Sequence, residues 1–235
     1  MELVRRRFGK DKVALLAHSW GTVLGTIYAS RYPEKVSAYV GVAQIANVPQ
    51  GRQLSYEFAL SEAKKRNNAK AVSELMAVGP PPYDSVDEKL ITGKWVERFG
   101  GMFHADLSTG ELIRSALDTD EANLVDLVSF GRGNRFSLVH LEDEISRLNL
   151  NEGYRHFKVP VIFLLGRHVP AILAEQYFHA IETPTKRRVW FERSGHNPPF
   201  EEPGKFNEIL IEDVLRFIPA DKPYRQTSDQ ATEGK

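Results

Sequence analysis

Three short, largely apolar runs leave few folds open to this chain. They lie at residues 13–17, 36–43 and 159–165. Strands that are apolar at nearly every position, rather than at alternate positions, are typical of a parallel sheet that helices cover on both faces. A shorter run at residues 188–191 has the same character. The pattern predicts an α/β fold with a mostly parallel sheet of about four strands flanked by helices.

The segments between these runs set the domain organisation. Residues 22–31 have helical spacing and connect the first two strands, while helices are predicted again at 171–180 and 204–217. We divide the chain into residues 1–48 (first part of the core), 49–154 (inserted helical cap), 155–219 (second part of the core) and 220–235 (tail). The cap is predicted because helical periodicity replaces the strand pattern there. The tail is polar, and we expect it to be disordered.

Charge and composition exclude several kinds of partner. Lys and Arg total 31, as do Asp and Glu, so no overall field attracts nucleic acid or an anionic membrane. No apolar stretch approaches the roughly 20 residues that span a bilayer, and the first residues lack the apolar run of a secretory signal. Cysteine is absent, which is compatible with the cytoplasm, the location we expect.

Cofactor and metal sites also lack a signal in the sequence. Without cysteine there is no thiolate metal site, and no group of His, Asp and Glu has the spacing of metal ligands. No glycine-rich phosphate loop occurs either. We therefore expect no cofactor and no metal, and a small molecule or a short peptide as the substrate.

A serine lies on the predicted turn between the first strand and the following helix. The local sequence is Ala17-His18-Ser19-Trp20-Gly21. Such a turn lifts a hydroxyl to a helix N-terminus, where negative charge is stabilised, and small residues two positions before and after it suit the crowding there. Alone the match is weak, but Ser194-Gly195-His196 follows the last predicted strand. We expect Ser19 and His196 to meet at the carboxyl ends of neighbouring parallel strands.

These motifs resemble those of α/β-hydrolases of the proline iminopeptidase-like group of serine peptidases and related esterases. The similarity is close over residues 11–49 and 154–217, and loose over the helical segment that matches the cap of that group. The resemblance implies hydrolysis of an ester or an N-terminal amino-acid amide through an acyl-enzyme. In it, Ser19 is the nucleophile, His196 is the general base and the amide of Trp20 is one oxyanion donor.

Two parts of the family pattern are missing from the sequence. The resemblance implies an aspartate after Gly166-Arg167-His168, but Val169-Pro170 follows at once, and Glu175 on the next helix is expected to point elsewhere. The family also has several strands and a glycine-rich oxyanion loop before the serine, whereas residues 2–8 match the end of the helix that precedes the serine strand. We therefore expect a partial α/β-hydrolase fold, N-terminally truncated and lacking the usual catalytic aspartate.

These omissions lead to two interpretations of function. Loss of the acid in a comparable serine enzyme lowers turnover by roughly 10⁴. The chain is therefore either a serine hydrolase with impaired activity or a catalytically inactive remnant or ligand-binding module of the same fold. Residues 13–17 would also lack a neighbouring strand on one side. Because an exposed apolar edge favours association, we expect the chain to self-associate.

Five other residues are candidates for a role near the site. His18 is interpreted as a packing residue of the turn rather than a base. His168 could substitute for the base, but a solvated loop residue is the preferred interpretation. Trp20 either lines the substrate pocket or covers the serine turn. Glu57 and Glu62 fall on a predicted cap helix, where they either bind a substrate ammonium group or, as we prefer, face solvent.

Overall fold

Four parallel strands form the sheet of the computed structural model, which describes residues 1–104, 107–120, 122–168 and 171–218. In chain order they are β1 (Val13–His18), β2 (Val36–Val42), β3 (Val161–Gly166) and β4 (Lys186–Phe191). They lie side by side in that order, and each neighbouring pair is parallel. The predicted α/β fold is confirmed. The predicted disordered tail, residues 220–235, lies outside the described residues.

Helices flank the sheet and fill the segment between β2 and β3. In chain order they are α1 (Glu2–Arg7), α2 (Gly21–Arg31), α3 (Val48–Lys65), α4 (Ala69–Val78), α5 (Val86–Arg98), α6 (Thr109–Leu117), α7 (Leu124–Ile145), α8 (Ile172–Ala180), α9 (Pro198–Glu201) and α10 (Pro203–Ile209). A π-helical turn (Leu210–Val214) and a 3₁₀ turn (Leu215–Phe217) continue α10. The closing helix predicted over residues 204–217 is therefore irregular in its second half.

The last two strands begin at other residues than the apolar pattern predicts. Pro160 has no N–H to donate to the ladder, so β3 starts at Val161, two residues late, while the Pro160 carbonyl accepts from Tyr39. β4 starts two residues early, at the charged Lys186. The Lys186 ammonium donates to carbonyls at the end of α8, which would otherwise lack partners.

The sheet is packed on both faces, as its apolar strands predict. One face packs against α2 and α8 through a core that includes Phe163 and Tyr177. The other packs against α10 through a core that includes Leu164 and Phe206. All six residues of β3 are buried. Packing on both faces fixes the sheet, and so fixes the carboxyl ends of its strands relative to one another.

The helices α3 to α7, which we call the helical insertion, have a small core of their own. Tyr56, Leu75 and Trp95 are buried where α3, α4 and α5 meet. Each helix begins at an Asn or Ser whose side chain accepts a backbone N–H of the first turn, namely Asn47, Asn68, Ser85, Ser108 and Asn123. That the insertion acts as a cap stays a prediction. None of the helices described is long and apolar enough to cross a bilayer.

β1 is an edge of the sheet within the described residues, and large apolar side chains on β1 and on the segments before and after it in the chain are exposed. They include Leu3, Phe8, Leu16 and Leu24, which are 83%, 66%, 44% and 72% exposed.

We expect the chain to self-associate through this surface, because an apolar edge strand favours pairing and burial. In sedimentation velocity, Leu24→Lys should shift the chain toward monomer. The control Met76→Lys, which replaces an exposed apolar residue of α4, should not; a purely monomeric parent protein contradicts the prediction.

Candidate active site

Ser19 occupies a strained turn between β1 and α2. Its φ is +53°, in the left-handed region that residues other than glycine rarely adopt. The turn is held because the Ser19 N–H donates to the Val42 carbonyl at 3.0 Å, and the Ser19 carbonyl accepts from the amide and the hydroxyl of Thr22. The strand, turn and helix thus present the Ser19 hydroxyl at the carboxyl edge of the sheet.

The crowding predicted beside Ser19 lies one helical turn further along α2. A Cβ placed on Gly21 would meet the Ala17 Cβ at 3.9 Å, which is ordinary contact. A Cβ on Gly25 would lie 2.7 Å from the Tyr39 ring and 2.9 Å from the Ala17 Cβ. Crowding therefore does not explain the small residue at position 21, contrary to our prediction. The position on α2 that is too close to the sheet for a side chain is Gly25.

Ser19 and His196 are in direct contact. The Oγ of Ser19 lies 2.7 Å from Nε2 of His196, a distance at which the hydroxyl donates to the unprotonated ring nitrogen. The expectation that they follow neighbouring strands was wrong, because β1 and β4 are the two edges of the described sheet and β2 and β3 lie between them. The loop that carries His196, residues 192–197, must therefore return across the end of β3. We call it the histidine loop.

The backbone of β3 allows this return. A Cβ built on Gly166, the last residue of β3, would lie 1.8 Å from the carbonyl oxygen of Gly195 and 2.5 Å from that of Ser194. The His168 N–H donates to the same Ser194 carbonyl at 3.1 Å. Only a residue without a side chain fits at position 166 with the histidine loop in place.

Two carboxylates hold the histidine loop from the far side. Glu201 accepts from the amides of Gly195 and Asn197, which flank His196, at 2.8 and 3.0 Å. Its other oxygen accepts from the amide of His104, which lies between α5 and α6 of the helical insertion. Glu202 accepts from the Ser194 hydroxyl at 2.7 Å. Sequence reasoning did not assign these carboxylates a role, although their position shortly after the histidine, at the start of the closing helices, is a usable signal.

A cavity of about 360 Å³ opens beside Ser19 and His196. Its walls come from α3, α5, the start of α8 and the segment after β2, and they are mainly apolar, with Ile45, Val48, Leu54, Met102 and Leu173 among the lining residues. Two cations, Arg52 and Lys89, also line it, and no carboxylate does among the described lining residues. The cavity can therefore hold an apolar substrate segment next to the Ser19 hydroxyl.

Comparison with known proteins shows which fold this chain shares. Residues 1–73 match the family model described as alpha/beta hydrolase fold. The structure is similar to that of a proline iminopeptidase from Mycobacterium smegmatis, with a TM-score of 0.59 at 14% identity over 92% of this chain and 69% of that one. A proline iminopeptidase-related protein from Thermus thermophilus gives 0.56 at 17% identity, over 93% and 69%. The chain has an α/β-hydrolase fold.

A curated relative of this chain is the probable aminopeptidase YbaC of Bacillus subtilis (strain 168). The two are 32% identical over 209 residues, which is 86% of this chain and 65% of the relative. The chain thus spans slightly less than two thirds of the relative's length. The sequence identities to these two solved structures are 14% and 17%, so the similarity to them shows the fold alone.

The environment of His196 favours the neutral ring. Burial, and after it the nearby His18, lower the pKa of His196 to about 4. His18 Nε2 donates to the His196 carbonyl at 2.9 Å, so His18 ties the serine turn to the histidine loop, in line with a packing role. At neutral pH, His196 is therefore in the form that can accept the proton of Ser19.

No carboxylate contacts the His196 ring among the residues that the structure describes. Glu175 points elsewhere, as expected, and pairs with Arg188. Arg167 pairs with Glu192 and stacks on Trp190. The Val169-Pro170 pair lies outside the described residues. The acid that would orient the imidazole and stabilise its charged form thus has no counterpart in the described part of the chain.

Of the other predicted residues, Trp20 lines the cavity, whereas His168, Glu57 and Glu62 do not. Trp20 both lines the cavity and stays 41% exposed, and its amide has no acceptor among the described residues, as an oxyanion donor requires. His168 stacks on His104 and contacts the Glu192 carbonyl, away from Ser19. Glu57 accepts from Gln53, and Glu62 pairs with neighbouring cations; neither lines the cavity. Glu57 is exposed, in line with the preferred interpretation, whereas the Glu62 side chain is only 19% exposed and lines a different cavity.

No metal site accompanies these residues. The described part of the chain has no group of three or more His, Asp or Glu side chains placed to hold an ion.

Proposed function

We propose that this α/β-hydrolase is a serine hydrolase that cleaves an ester or an amide through an acyl-enzyme on Ser19. The 2.7 Å contact between Ser19 Oγ and His196 Nε2 carries the proposal. It supplies a nucleophile and a base within hydrogen-bond distance at the mouth of an apolar cavity. The aminopeptidase name of the Bacillus relative supports the amide, and the apolar cavity suits either substrate.

The reaction would proceed in two halves. Ser19 Oγ attacks the substrate carbonyl while His196 Nε2 takes the hydroxyl proton, and the Trp20 amide donates to the oxygen that becomes negative. The imidazolium then gives its proton to the leaving alcohol or amine, which leaves the acyl group on Ser19. Water then attacks the ester while His196 takes its proton, and His196 returns this proton to Ser19 Oγ as the acid is released.

We also propose that turnover is slow. A positively charged His196 forms in both halves, and burial disfavours that charge, as the lowered pKa of His196 shows. No described carboxylate offsets this cost. Removing the acid in a comparable serine enzyme lowers turnover by roughly 10⁴. The same observation favours the second candidate function, a ligand-binding module that keeps the cavity without turning over.

Reaction with a fluorophosphonate separates the two candidates, because it needs an activated serine but no deacylation. We expect the parent protein to be labelled and Ser19→Ala to be unlabelled. Ser55→Ala is the matched control: Ser55 is a second serine beside the cavity, but its hydroxyl donates to the Gly51 carbonyl, and this variant should still be labelled. Folded parent protein that resists labelling would reject the hydrolase and leave the binding module.

A cytoplasmic location stays a prediction. We propose a small molecule or a short peptide as the substrate, and a second copy of the chain as the partner at β1.

A further inference from the structure

Two cations from the helical insertion lie at the cavity next to the nucleophile. Arg52 is on α3 and Lys89 is on α5, and both line the cavity that Ser19 opens into. The Lys89 ammonium lies 5.9 Å from the centroid of the Trp20 ring, so it is close to the residue that follows Ser19. Their side chains are only 12% and 19% exposed, respectively. Charges this sheltered are weakly screened by salt.

One carboxylate serves both cations. Glu142 of α7 accepts from Arg52 Nη1 through one oxygen and from Lys89 Nζ, at 2.9 Å, through the other. Glu142 itself is not among the lining residues of the cavity. The trio therefore has two positive charges and one negative charge, and the positive members are those at the cavity wall.

The structure leaves one strong donor of this trio without an acceptor. Arg52 Nη2 is buried and makes no hydrogen bond to any described residue. A buried guanidinium N–H without a partner is costly, and an anion is the group it binds best. Burial and the nearby Arg52 lower the pKa of Lys89, although its bond to Glu142 opposes the shift. The unpaired guanidinium N–H, and two cations that share one carboxylate, indicate surplus positive charge at this end of the cavity.

We propose that the cavity takes substrates whose acyl part carries a carboxylate, and that Arg52 and Lys89 bind this group and determine specificity. The inference rests on the proposed serine hydrolase, since it assigns the acyl side of the same site. A carboxylate in the cavity would lie beside both cations and offset the surplus charge. A substrate ammonium at the same place would meet two cations and no lining carboxylate, so this cavity disfavours a free amine there.

The binding test uses Ser19→Ala, so that no turnover intervenes. The probes are the monophenyl esters of adipic and suberic acids, each compared with its methyl phenyl diester, which has the same chain but no charge. We expect the acid of at least one pair to bind about tenfold more tightly by calorimetry, the gain typical of a charge-assisted hydrogen bond. Equal affinities, or tighter binding of both diesters, overturn the proposal.

Variants of the trio then assign the effect. Arg52→Met and Lys89→Met, each in the Ser19→Ala background, should reduce the preference for the acid to about twofold or less. Glu142→Gln should raise the preference, because it removes the competing carboxylate, so the proposal does not depend on one variant folding. Arg98→Met is the matched control, since Arg98 belongs to the insertion but lines a different cavity. A preference that survives both cation variants contradicts the assignment.

The outcomes separate this inference from the proposed hydrolase. Ser19-dependent labelling without a preference for the acid retains the hydrolase and rejects the carboxylate site. A preference for the acid without labelling of the parent protein supports the carboxylate site and rejects only hydrolysis.

Discussion

Gly166→Ala is expected to destabilise the fold by about 3 kcal/mol or more and to slow fluorophosphonate labelling of Ser19 by roughly 100-fold. The new Cβ would lie 1.8 Å from the Gly195 carbonyl oxygen, far inside contact distance, and both partners are backbone. Rotation of a side chain cannot relieve this overlap, so the histidine loop must move by about 1 Å or more. Displacement on that scale costs reactions of this kind about two orders of magnitude.

The control for this variant is Gly93→Ala. Gly93 lies within α5, where an added Cβ meets no atom within 4 Å, so alanine should stabilise the protein by about 0.5–1 kcal/mol. Urea denaturation gives both free energies of unfolding, and the labelling rate gives the effect on the site. If Gly166→Ala has the stability and the labelling rate of the parent protein, the histidine loop does not cross β3 as described.

Acid is expected to destabilise the folded protein through His196. Its pKa is about 4 in the folded state, against about 6.5 in the unfolded chain, so the unfolded chain binds more protons between these values. This contribution to stability is fully present above pH 6.5, falls as the pH drops, and is lost by pH 4. The total is up to about 3 kcal/mol, from 1.36 kcal/mol per pKa unit. His196→Asn should remove it.

The measurement is the difference in unfolding free energy between the parent protein and His196→Asn, from pH 7.5 to 4. Other groups titrate in both proteins and cancel in the difference. The labelling rate of the parent should also stay constant down to about pH 5, because the neutral imidazole persists there. A rate that halves near pH 6.5, together with a difference that does not change with pH, contradicts the lowered pKa.

The sheet and the serine turn were predictable because local patterns determine them. Apolar runs located the four strands to within two residues at each end, and the two-residue differences, at the starts of β3 and β4, arise at Pro160 and Lys186. The positive φ of Ser19 agrees with the strand–turn–helix pattern. A contact between Ser19 and His196 was also predictable, since residues that follow parallel strands gather at one edge of the sheet.

Features that depend on how distant segments pack were not predictable. Apolar runs do not report strand order, so the pair was expected on neighbouring strands rather than on opposite edges. The close approach of Gly166 to the histidine loop, and of Gly25 to Tyr39, follows from tertiary distances that a glycine in a sequence does not reveal. The charge of the cavity depends on residues from α3, α5 and α7 that lie far apart in the sequence.

Ser19 follows one edge strand and His196 follows the other, so β2 and β3 determine the distance between the two strand ends that carry the reacting pair. β2 and β3 act as a spacer of fixed size. Longer connections outside β2 and β3 leave that distance unchanged, whereas a shift in the register of these two strands changes it. Tolerance of this chain to substitution should therefore be lowest in the middle of the sheet, far from the hydroxyl and the imidazole themselves.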